Sequence, residues 1–159
     1  MKTIVVGMGN PILGDDRVGI FIMRGVRSRF EQEGGTGDVT FIESTEGGLL
    51  LMDQINGFDR AILIDSVSSG SYPVGTLLKL TKEDFEETRH ISNLHDINFA
   101  TAMKMGNRMG HSLPDDIQIY AVEIKPALDF SKPMSPEVEA VIPKAVEEIF
   151  KRVFSIRKT

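Results

Sequence analysis

Short, nearly continuous apolar runs alternate along this chain with stretches in which apolar residues recur every three or four positions. The first run, "KTIVVGMG", reads as a buried strand bounded by glycine. Beyond it Val18, Phe21, Ile22, Val26 and Phe30 recur at helical spacing, which predicts a first helix over about residues 17–31, broken by "GGTGD". A second strand, "VTFIES", leads into "EGGLLLMDQI", a short helix whose leucines are expected to pack inward. "DRAILIDSV" follows as a third strand, almost wholly apolar, as a parallel strand covered on both faces should be. This alternation predicts a parallel sheet with right-handed crossovers.

The pattern then changes. "SSGSYPV" is too short for a parallel crossover, so "GTLLKL" is expected to return antiparallel to its neighbour, making the sheet mixed. A polar segment over residues 81–95 leads to a helix starting at His95, on which Phe99, Ala102, Met103 and Gly106 share a face. "DIQIYAVEI" alternates cleanly as a fifth strand. The last helix opens with Ser135 as N-cap and Pro136 at its first position, and carries Val138, Val141, Ile142, Ala145, Ile149 and Val153 at helical spacing. Pro143 should bend it. No repeat or linker interrupts the chain, so residues 1–159 are expected to form a single domain of the α/β class.

Composition narrows the function. The 159 residues include no cysteine, which excludes thiol nucleophiles, thiolate zinc sites and disulfides, so any metal must be held by oxygen and imidazole. A formal charge of -5 argues against a nucleic-acid partner, whose phosphates call for a basic footprint. The basic end "KRVFSIRKT" reads as a solvated helix terminus complementing the helix dipole. No apolar run approaches the roughly 18 to 20 residues that span a bilayer, and the start shows no signal-peptide pattern. The expectation is a soluble cytoplasmic monomer with no membrane association and no organic cofactor.

In open α/β sheets, functional groups collect outside the carboxyl ends of parallel strands. Three places meet that condition here: "GMGNPILGDD" after the first strand, Asp65 closing "AILID", and His95. Because the fourth strand runs the other way, residues 81–95 must travel back across the sheet, which would deliver His95 to the rim that holds Asp16 and Asp65. Two carboxylates and an imidazole are therefore expected to converge.

A phosphate-binding reading of the glycine loop fails. The dinucleotide fingerprint needs a third glycine where Ile12 stands, no P-loop lysine is present, and paired acids would repel the anion. Gly7 and Gly9 instead permit a sharp turn and close approach, Asn10 can tie the loop by side-chain to backbone bonds, and Asp16 is favoured at a helix N-terminus. At least one of Asp15 and Asp16 is expected to cap the first helix. Asp65 is costly to bury unpaired, although a turn-forming role before "SVSSG" is the bland alternative. His90 sits among charges and His111 in what reads as a surface turn, and Met103, Met105 and Met109 read as core and helix surface. No zinc-protease or serine-hydrolase motif occurs. The trio Asp16, Asp65 and His95 suits a borderline ion such as zinc or nickel with positions left open, which points to a metal-assisted hydrolase.

These segments closely resemble the hydrogenase maturation proteases, the endopeptidases that trim the C-terminus of the large subunit of [NiFe] hydrogenases. "GMGNPILGDDRVG", "ESTEGGLLL", "AILIDSV", "SNLHDINFATAMKMG" and "MSPEVEAVI" match that family's segments in order, over nearly the whole chain. The resemblance implies a three-layer α/β/α fold around a mixed, mostly parallel five-stranded sheet. It also implies cleavage of a [NiFe] hydrogenase large-subunit precursor after nickel insertion. Asp16, Asp65 and His95 would contact a nickel ion supplied by the substrate, as catalytic and metal-contacting residues, with Gly7, Gly9 and Asn10 supporting the loop. Water activated by the ion and a carboxylate acting as base both remain open, as do a non-cleaving nickel-dependent binding module for the same precursor and another metal-assisted hydrolase. Arg17 stands where the family usually carries glycine, and would either shift the helix start or offer a cation to the substrate. "GNP" also resembles peptidyl-tRNA hydrolases, but their histidine-bearing segment is missing here.

Overall fold

In the computed structural model, residues 1–45, 48–87, 93–94, 97–126 and 133–155 are described. Strand β1 (Thr3–Met8) is buried along its whole length, and β3 (Arg60–Val67) likewise, as their apolar runs require. They lie side by side and parallel at the centre of a five-stranded sheet. β2 (Val39–Ser44) flanks β1, and β7 (Asp116–Glu123) flanks β3, both parallel to their neighbours. The edge strand β4 (Leu77–Thr81) runs antiparallel. Its partner is β7 and not the preceding strand: the order is β2-β1-β3-β7-β4. The turn between β3 and β4 therefore spans the width of a later strand, whose amide and carbonyl at Glu123 bond Thr76 and Gly75.

Two helical layers cover the sheet. On one face α1 (Val18–Gln32) and α5 (Pro136–Ser155) pack over Val5, Ile62, Ile64, Tyr120 and Val122. On the other, α2 (Gly48–Ile55) and α4 (Phe99–Arg108) cover Ile4, Val6, Leu63, Ile119 and Ala121. The alternation within each strand thus assigns its residues to opposite layers, and the architecture is the expected three-layer α/β/α. A short helix α3 (Lys82–Glu87) follows β4 inside the segment read as polar connection. Beyond it β5 (Asn93–Leu94) and β6 (Ile97–Asn98) form a two-residue antiparallel pair.

Several local expectations change. α4 begins at Phe99, so the residues after His95 first form β6 and only then turn helical. In α2, Leu51, Met52 and Ile55 are buried but Leu50 is exposed, because three successive leucines cannot all face one side of a helix. Pro143 lies inside α5, as its place in the sequence requires. His111 is no free surface turn: its ring contacts the Asp53 carboxylate through Nε2 and the Gly106 carbonyl through Nδ1, joining α2 to the end of α4. Met103 is buried while Met105 and Met109 are exposed, as read. Among the described residues no helix is long and apolar enough to cross a membrane.

Candidate active site

The chain passes from β1 to β2 on one side and from β2 back across β1 to β3 on the other, so the order reverses at the carboxyl ends of β1 and β3, the place where ligands bind in sheets of this type. The loop following β1 lies at that end of the sheet. Gly9 N–H continues the sheet by donating to Ser44 O at 3.1 Å, and Gly9 then adopts φ 149°, with a Cβ there lying only 2.1 Å from the Asp16 carbonyl. A single 3-10 turn, Gly14–Arg17, passes directly into α1. The first turn of α1 rests on the strand ends themselves: a Cβ on Gly19 would lie 2.4 Å from Ile64 O and 2.5 Å from Met8 O. Gly7 likewise meets Met23 from the same helix.

This close seating brings Asp16 against the end of β3. Ser66 Oγ–H donates to Asp16 Oδ1 at 2.6 Å, and the Asn10 N–H donates to Asp16 Oδ2 at 3.2 Å. Asn10 also accepts the Ile12 N–H through Oδ1 at 3.1 Å, the loop-tying role its sequence position implies. Asp65 is fully buried, and its Oδ1 accepts the Ser66 N–H at 2.7 Å. By strand alternation Ser66 is in phase with Ile62 and Ile64 on the α1 face, and Asp65 with Leu63 and Val67 on the α2 and α4 face. The two acids thus meet one residue from its two sides, Asp16 through the hydroxyl and Asp65 through the amide.

The expected cap at the helix start is not made by either acid. The N-cap positions of the 3-10 turn and of α1 are Leu13 and Arg17, and neither carries a side-chain cap bond. Asp15 turns away from the helix instead and accepts from Ser135 at the head of α5. Ser135 stands at the N-cap position as read, but its hydroxyl is donated to Asp15, while its carbonyl takes the N–H groups of Val138 and Glu139. Arg17 folds back on its own turn and helix: its Nε donates to Gly14 O at 2.9 Å and its guanidinium lies over the Phe21 ring.

His95 and His90 lie outside the described residues. β5, immediately before His95, packs against β3, the strand that bears Asp65. Among the described residues no group of three His, Cys, Asp or Glu side chains could hold a metal ion. Two residues at this rim went unread in the sequence. Ser66 carries no signal beyond its place after Asp65. Glu123 does carry one, since it is an acid in the inward phase of an apolar alternating strand. Its buried carboxylate accepts the Ser69 hydroxyl at 2.7 Å and the Gly70 N–H at 2.8 Å, pinning the loop after β3.

With two acids placed at the switch point of this sheet, comparison with known proteins decides the family. The family model described as hydrogenase maturation protease matches residues 22–152. The chain belongs to the hydrogenase maturation protease family. The matched span contains Asp65 and His95, and begins six positions after Asp16. The chain is 27% identical over 150 residues to the hydrogenase expression/formation protein HupD of Rhizobium leguminosarum bv. viciae, covering 92% of this chain and 71% of that protein. It is 25% identical over 151 residues to the hydrogenase 2 maturation protease of Escherichia coli, covering 94% and 88%. The fold matches the solved hydrogenase maturating endopeptidase HybD of E. coli with a TM-score of 0.75 at 21% identity, over 94% of this chain and 90% of that one. Membership makes this maturation protease a peptidase of the hydrolase class, in a family that acts on hydrogenase large-subunit precursors.

Proposed function

We propose that this chain removes a C-terminal peptide from the large-subunit precursor of a [NiFe] hydrogenase once nickel has been inserted, and that Asp16, Asp65 and His95 contact that ion. The observation that carries this reading is the meeting of Asp16 and Asp65 at Ser66, at the carboxyl ends of β1 and β3. Two acids at one strand end, one of them fully buried, offer carboxylate oxygens that a divalent ion of the substrate can engage. The donor set contains no sulfur, so it touches a borderline ion without stripping it from a precursor. On this reading, which the family resemblance supplies, nickel belongs to the substrate and its presence is what the site recognises.

The test is cleavage of matched nickel-loaded and nickel-free precursor, followed by mass, with wild type and Asp16→Asn. Loss of a C-terminal peptide is expected only from the loaded precursor, with Asp16→Asn slower by at least about 100-fold at an unchanged melting temperature. Tight binding of either precursor without cleavage would replace the endopeptidase by a binding module. Equal cleavage of both precursors would remove nickel from the reading, and cleavage of unrelated proteins would favour a general metal-assisted hydrolase.

A further inference from the structure

Ser66 offers one donor to each acid: its N–H to Asp65 Oδ1 at 2.7 Å and its Oγ–H to Asp16 Oδ1 at 2.6 Å. The second bond is the shorter of the two that Asp16 accepts, since the Asn10 N–H lies 3.2 Å from Oδ2. A hydroxyl donating to a carboxylate oxygen at 2.6 Å is at the short end of such bonds. Ser66 is buried, so bulk water does not compete for it. Asp16 itself is only half-buried and sits on a 3-10 turn, with a side chain whose rotation nothing in the helix dictates. Bonds to both of its oxygens fix the plane of that carboxylate, and the firmer of them comes from Ser66.

We infer that Ser66 is a positioning residue, whose hydroxyl orients the Asp16 carboxylate for the ion of the precursor while its amide steadies Asp65. This rests on the assignment of Asp16 and Asp65 to ion contact. The geometric logic is that of residues that orient metal-contacting side chains, where loss of the supporting partner typically costs about 10- to 100-fold in affinity or activity. The same bonds also let two like charges sit at one strand end before any ion arrives, each acid holding a donor of its own.

The experiment compares wild type, Ser66→Ala and Ser66→Thr in cleavage of the nickel-loaded precursor. A second measurement follows the carboxyl carbon of Asp16 by NMR in aspartate-labelled protein, its signal assigned by disappearance in Asp16→Asn. Ser66→Ala is expected to lose about 10- to 100-fold in kcat/KM and to shift the Asp16 signal, with its melting temperature within a few degrees of wild type. Ser66→Thr, which keeps the hydroxyl, is expected to recover most of the rate and to hold the signal near its wild-type position. Wild-type cleavage by Ser66→Ala, or equal loss in the alanine and threonine variants with both folded, would overturn the assignment. If wild type itself does not cleave, the endopeptidase reading fails while the positioning is judged by NMR alone: an unmoved Asp16 signal in Ser66→Ala overturns it and a moved one sustains it.

Discussion

The carboxylate of Asp15 accepts both the amide and the hydroxyl of Ser135, 120 positions along the chain, at 2.6 and 2.5 Å. Neighbouring acids in the loop thus have separate duties. Asp15 fastens the turn to the head of α5, and Asp16, next to it, is turned toward β3. Removing the buried Asp15 carboxylate leaves two donors of Ser135 without their acceptor, so Asp15→Ala is expected to destabilise the fold by about 2–4 kcal/mol. Ser135→Ala removes one donor and keeps the amide bond, for about 1 kcal/mol. Urea unfolding midpoints measure both, and equal effects would show that the hydroxyl, not the carboxylate, is the critical member.

The seating of α1 on the strand ends depends on the absence of a side chain at Gly19, where a Cβ would lie 2.4 Å from one carbonyl and 2.5 Å from another. Backbone cannot yield as a flexible side chain does, so Gly19→Ala should cost about 3 kcal/mol or more. It should also slow precursor processing, by lifting the turn that carries Asp16 away from Ser66. Gly34 is the control: its φ is 69° but nothing lies within 4 Å of a Cβ there, so Gly34→Ala meets only backbone strain of about 1–2 kcal/mol. Comparable losses for the two variants would mean that close approach is not what Gly19 provides.

These two relationships also mark the limit of what the sequence reveals. Continuous apolar runs locate β1 and β3, and a recurring apolar phase locates β7, α1 and α5, and both signals are local properties. The place of Asp16 and Asp65 at one rim follows from the direction of parallel strands, which is equally legible. What pairs with what at long range is not. Nothing near "GTLLKL" announces that β4 adopts β7 as its partner, and nothing near "GDD" announces Ser135. A capping role for at least one of Asp15 and Asp16 is the economical local expectation, and a remote donor pair takes Asp15 instead. His111 shows the same failure, since its partner Asp53 lies on another helix. Ser66 is not legible, because a small polar residue after an acid looks like the start of a turn, while its value comes from an acid fifty positions earlier.

Pro143 lies on the exposed side of α5, with helix continuing on both sides of it. It has no N–H to offer the carbonyl four residues back, and its ring crowds that carbonyl. Pro143→Ala should restore the bond and stabilise the protein by about 1–2 kcal/mol, the gain being reduced by the greater freedom of the unfolded chain. Thermal unfolding would show a rise of several degrees. A fall would mean that the proline sets a curvature that the packing of α5 on α1 requires.

Tyr120 gives the fold an alkaline limit. It lies on β7 beneath α5, and burial raises its phenol above the ordinary value of 10.0, while Arg152, Lys79 and Arg60 pull in the opposite direction and Glu148 adds to the rise. The unfolded chain therefore gives up this proton first. The contribution of the neutral phenol is fully present below pH 10.0, and it declines as pH climbs from there through the raised folded value. Tyr120→Phe has no proton to lose, so its stability relative to wild type should be flat at neutral pH and should improve steadily above the ordinary tyrosine value. Urea midpoints for both proteins from pH 8 to about 11 isolate this group, because every other titrating residue is common to the pair. A difference that stays constant across that range would show that the phenol is as free to ionise in the folded protein as in the unfolded one, and that the three cations offset its burial.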